Sequence, residues 1–81
     1  MTGEQLQKQM RIQPFKAFQL HLADGRTLKV DHPEFLLYVP GMRTCVVADL
    51  DGGGYDIVDL LLITSIRVSE GNGRGRRKKN R

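Results

Sequence analysis

The chain is poor in the residues that build disulfides, metal centres and membrane spans. Its one cysteine, Cys45, excludes an internal disulfide and a cysteine-based zinc cluster. Its setting, Thr44-Cys45-Val46-Val47, reads as a strand with a small buried hydrophobe rather than a reactive thiol. No segment approaches the roughly 18 to 20 consecutive apolar residues that cross a bilayer, so no membrane contact is expected. The opening Met1-Thr2-Gly3-Glu4-Gln5 is neither basic nor apolar as a signal peptide is, and the expectation is a cytoplasmic protein.

Spacings that carry chemistry are also missing. The two histidines, His21 and His32, have Asp24, Asp31 and Glu34 near them, but no HxxxH or HxH pattern begins a site that needs three or four converging ligands. Asp49, Asp51, Asp56 and Asp59 surround the turn Gly52-Gly53-Gly54 without the spacing or the closing glutamate of an EF-hand loop. They read as a solvated acidic hairpin. The glycine-rich stretches are followed by no helix that would present N–H groups to a phosphate. No Ser/His/Asp, Cys/His or carboxylate pair implies a mechanism. No catalytic, cofactor-binding or metal-binding residue is expected, and the chain does not read as an enzyme.

Charge is divided unevenly. Residues 74 to 81 carry Arg74, Arg76, Arg77, Lys78, Lys79 and Arg81 and no acid. Residues 1 to 73 carry seven basic and nine acidic side chains, a net of −2. The body is therefore mildly acidic, and the formal charge of +4 belongs to the tail.

Thr2-Gly3-Glu4-Gln5 fits a capping box, and Leu6 and Met10 lie four apart on one face of the short helix it predicts. Pro14 marks the helix end. From Lys16 the period changes to two, with Phe18, Leu20 and Leu22 pointing one way. Asp24-Gly25 then suggests a two-residue type I′ turn before a strand carrying Leu28 and Val30. The stretch from Pro33 through Val39 suits a helical turn or a strand, and Pro40-Gly41 turns the chain. Thr44 to Leu50 and Tyr55 to Leu60 form a second hairpin. Leu60-Leu61-Leu62-Ile63 is too apolar for an exposed loop, and Thr64 to Val68 reads as a closing strand. After Ser69 no apolar residue follows, which predicts disorder.

These elements predict a mainly β (α+β) domain: a strongly bent sheet or small SH3-like or Sm-like barrel of four to five antiparallel strands with a short N-terminal helix. The helix occupies residues 1–12, the β domain 13–69 and the disordered basic tail 70–81. About 55 ordered residues bury a core that barely exceeds the entropy of ordering.

The run Gln13-Pro14-Phe15-Lys16-Ala17-Phe18, the hairpin Leu22-Ala23-Asp24-Gly25-Arg26, then His32-Pro33-Glu34 and the closing Ile63-Thr64-Ser65-Ile66 resemble a group of short uncharacterised bacterial proteins. That resemblance covers about residues 2 to 68 and implies no activity. The Asp-Gly-Arg hairpin is also similar to that of Sm-like proteins. Their RNA pocket relies on a late Arg-Gly pair, where this chain has Val58-Asp59-Leu60-Leu61, so the similarity implies no uridine pocket.

Two functions follow as expectations. The first is a non-enzymatic binding or assembly module contacting a protein partner or copies of itself, because Phe35 to Val39 and Leu60 to Ile63 strain what so small a core can bury. The second is RNA or DNA association through the tail, whose cations neutralise phosphates. No aromatic residue is interleaved there, so binding would be sequence-tolerant.

Overall fold

A computed structural model describes residues 1–69; residues 70–81, with all six tail cations, lie outside the described residues. The chain begins with the capping box. The Gln5 N–H donates to the Thr2 hydroxyl at 3.2 Å and the Thr2 N–H to the Gln5 side-chain oxygen at 3.1 Å, satisfying two N–H groups that helix geometry leaves free. Helix α1, Gly3–Met10, follows and ends where the Arg11 N–H donates to the carbonyls of Gln7 and Lys8. So short a helix is marginal alone. Its hold on the body is Leu6, which is fully buried, helped by Met10 at the core margin.

Among the described residues six strands follow: β1 Phe18–Leu22, β2 Thr27–Val30, β3 Leu36–Leu37, β4 Thr44–Ala48, β5 Tyr55–Asp59 and β6 Ile63–Val68. They form two three-stranded antiparallel sheets, ordered β2-β1-β6 and β3-β4-β5. The mainly β class with one short helix is thus established. The described strands are paired as two sheets, not as one closed barrel. Short 3-10 turns at Pro33–Phe35 and Leu60–Leu62 carry the chain from one sheet to the other. Both readings of residues 33–39 are realised in succession, because Pro33 starts a turn and Leu36 then takes extended backbone. That division yields one strand more than the sequence predicts.

The core follows the period-two pattern. Phe18, Leu20 and Leu22 of β1 face inward with Val30 of β2, and meet Cys45 and Val47 of β4 and Val58 of β5. Leu6, Leu36, Leu60 and Ile63 close the ends.

Two local expectations are corrected. The β1–β2 connection is a three-residue loop, Ala23 to Gly25, and not a two-residue type I′ turn. Gly25 has φ +95° and its N–H donates to the Leu22 carbonyl at 3.0 Å, while the Leu22 N–H donates to the Arg26 carbonyl at 2.9 Å. A turn followed by one left-handed residue is the usual three-residue solution, and it needs positive φ only at the glycine. In Leu60 to Ile63, burial is selective: Leu60 and Ile63 enter the core, but Leu61 is 77% exposed. A tight turn cannot aim consecutive side chains the same way.

Leu6→Ala is expected to lower the unfolding free energy by about 2–5 kcal/mol, read as a lower urea midpoint at unchanged slope. Lys8→Ala, on the exposed side of α1, should move it by less than about 0.5 kcal/mol. Equal midpoints for the two variants would show that α1 is not part of the cooperative core.

Candidate functional site

The sequence-level candidates separate once placed. Four of the described carboxylates near the hairpins, Asp24, Asp49, Asp56 and Asp59, have a local partner. Asp24 accepts from the Arg26 N–H at 3.1 Å and from Arg26 Nε at 2.9 Å. The backbone N–H is the main cause holding its carboxyl below the ordinary value. Asp49 accepts from the N–H groups of Asp51 and Gly52 at 3.1 and 2.9 Å, shaping the glycine turn. Asp56 meets Arg26 at 3.5 Å, and Asp59 meets Arg43 at 3.2 Å and caps the Leu61 N–H at 2.9 Å. These exposed pairs contribute little individually, and they hold loops in place. Among the described residues no three His, Cys, Asp or Glu side chains stand close enough to hold a metal ion. His21 Nδ1 lies 3.4 Å from the Thr27 hydroxyl, and the His32 ring packs edge-on against Phe35 at 5.1 Å between centroids.

Cys45 is buried in β4, 1% exposed, and burial pushes its thiol from 9.0 up to about 11. The thiolate is the nucleophile, so this sulfur is suited to packing.

A different feature stands out. On β4 and β5 the inward residues are Cys45, Val47 and Val58, so Val46, Ile57 and Tyr55 face outward. The register places Leu37, Val46 and Ile57 side by side across all three strands, with Ala48 opposite Tyr55 in the next row. Leu37 is 63% exposed, Ile57 66% and Tyr55 67%. Single exposed apolar residues are ordinary on a protein surface, but an in-register row with no charge in two successive cross-strand rows is a contiguous patch. The third row is Thr44 opposite Asp59, where Arg43 supplies a charged border.

One side of this face ends at an open edge. Antiparallel ladders alternate, so every second residue of an outer strand turns its N–H and C=O away from its partner. The Asp49 N–H donates to the Gly54 carbonyl and the Leu60 N–H to the Arg43 carbonyl. These bonds set the phase: Asp56 and Val58 bond to β4, and Tyr55, Ile57 and Asp59 direct their backbone groups outward. Among the described residues those outward groups have no hydrogen-bond partner.

Compared with protein-family models, with curated proteins and with solved structures, the chain matches none. The site therefore rests on its own geometry.

Alternation alone gives no signal for this face. In Tyr55-Asp56-Ile57-Val58-Asp59 both faces carry an apolar residue, and only the pairing with β4 decides that Val58 is inside. The predicted contact residues Arg74, Arg76, Arg77, Lys78, Lys79 and Arg81 lie outside the described residues and cannot be placed against it.

The Cys45 environment yields a pH prediction. Because the native thiol holds its proton more tightly than the unfolded one, its contribution is intact below about pH 9 and is lost as pH rises toward 11. Wild type should therefore lose stability relative to Cys45→Ala across that interval in urea titrations. Parallel curves for the two proteins would show the thiol to be open to solvent.

Proposed function

We propose that this chain is a small, non-enzymatic binding or assembly module acting through protein–protein contacts, with the outer face of β3-β4-β5 as its contact surface. The observation that carries this reading is the in-register row Leu37, Val46 and Ile57, in which Leu37 and Ile57 are exposed and Val46 is half-buried between them, beside exposed Tyr55. A small domain gains little by leaving such a row in water. Aromatic and aliphatic residues at the centre with Arg43 and Asp59 at the border follow the usual plan of a contact patch.

The arrangement reads as a variant of the SH3-like or Sm-like small barrel that is open between β5 and β6. Supporting this are the order β6-β1-β2 in one sheet, β3-β4-β5 in the other, and a corner at Pro33–Phe35 that lets β2 and β3 act as one bent strand. A lone buried thiol and the absence of a membrane-crossing helix among the described residues are in keeping with a cytoplasmic location, and the motif resemblance with a bacterial one.

A photo-crosslinking residue placed at position 37 in cells should give discrete protein adducts, while one at position 8 gives none. Adding Tyr55→Ser should reduce the adducts at position 37 without changing the melting temperature by more than about 2 °C. No adducts from position 37, or the same adducts from both positions, would remove the reading.

A second reading has its own observation. Six cations within residues 74 to 81, attached to a body of net −2, suit an accessory that holds RNA or DNA by phosphate contacts. The full chain should bind duplex DNA with a log–log salt slope no steeper than about −5, from about 0.9 per phosphate contact. A chain ending at Gly71 should lose this binding. Equal binding by both forms, or none by either, rejects a role for the tail.

A further inference from the structure

Among the outer strands β5 is the one least protected against pairing with another chain. Natural edges are guarded by shortness and by charge, lysine above all. β3 has two residues. β2 contains Lys29 and follows Arg26, and β6 contains Arg67 and leads into residues outside the described part. β5 has five residues, presents the free N–H and C=O groups of Tyr55, Ile57 and Asp59, and exposes two large apolar side chains beside them. Its acids guard it weakly, because Asp56 is held by Arg26 and Asp59 by Arg43.

We propose that a second copy of this chain occupies that edge, pairing β5 with the partner's β5 antiparallel about a two-fold axis through Ile57. This inference rests on reading the β3-β4-β5 face as a protein-contact surface, and names its occupant. With Ile57 opposite the partner's Ile57, the outward groups at positions 55, 57 and 59 all find a counterpart, giving about six backbone hydrogen bonds. The apolar row then runs unbroken from Leu37 through Val46 and Ile57 into the same three residues of the other copy.

Charge and the number of bonds together select this register. Centred on Ile57, Asp56 stands opposite the partner's Val58 and Asp59 opposite the partner's Tyr55, so no like charges meet. Moving the axis to position 56 sets Asp56 against the partner's Asp56, which destabilises a strand pair, and also leaves fewer bonds. The chain's own residues 70–81 contain no apolar side chain and are no substitute for a second copy. A two-fold interface closes on itself, which gives a dimer and not a fibre.

A single strand-edge pairing offers a limited contact, and interfaces below roughly 1,200 Å² are weak, so association is expected to depend on concentration. Sedimentation equilibrium of the full chain from micromolar to near-millimolar should show the mass rising from 9.2 kDa toward twice that value. Over the same range the amides of Tyr55, Ile57 and Asp59 should exchange several-fold more slowly. Ile57→Pro should remain monomeric: its N–H faces the open edge, so proline removes no bond to β4, and circular dichroism checks the fold. If that variant does not fold, Ile57→Lys makes the same test by charge. Leu37→Lys, on the face but away from the edge, should still dimerise. A wild type that stays monomeric throughout overturns the pairing and leaves the contact-surface reading to its cross-linking test. Self-association retained by a folded Ile57 variant overturns β5 as the edge.

Discussion

The inward row of β1 is the constraint on which the rest depends. Phe18, Leu20 and Leu22 are all buried, and β1 is the central strand of its sheet, with β2 on one side and β6 on the other. Every second side chain of this strand is committed to the core, so its neighbours must present matching rows. Val30 does so from β2 and Ile63 from β6, and Val47 and Val58 from the second sheet close over them. Helix α1 completes the core with Leu6. A domain of this size is expected to be stable by only about 3–10 kcal/mol, so one such side chain is a large share of the total.

The core also explains what lies outside it. Once Cys45, Val47 and Val58 are turned inward, Val46 and Ile57 must turn outward, because side chains alternate along a strand. The apolar face of the second sheet is therefore a by-product of core packing in its position. In its composition it is not, since nothing in the packing requires Leu37, Ile57 and Tyr55 to be apolar. Polar residues there would leave the core unchanged. That is the physical case for reading the face as a contact surface, and it is independent of the basic run at the C-terminal end.

Electrostatics have a supporting part. Asp24, Asp49, Asp56 and Asp59 cap turns or meet an arginine beside them, as Asp49 does at the glycine turn and Asp59 at the turn into β6. Arg26 reaches both Asp24 and Asp56, linking the first hairpin to β5. Such exposed interactions fix loop geometry more than they add stability.

Much of the fold is legible in the residues alone, for reasons that are local. The capping box, the Phe18-Leu20-Leu22 alternation and the glycine-marked hairpins depend on neighbours within a few positions. The split of charge between body and tail is read directly. Other features required long-range pairing. β6 joins β1 across more than 40 positions of sequence. The outer apolar row is the clearest case: Leu37, Val46 and Ile57 come from three different strands and are adjacent only because two strand pairings share one register. Sequence by itself determined a small β domain with a helix and a basic tail. Tertiary structure decided which of its apolar residues the core had no room for, because side-chain alternation and strand pairing together choose the face each one takes.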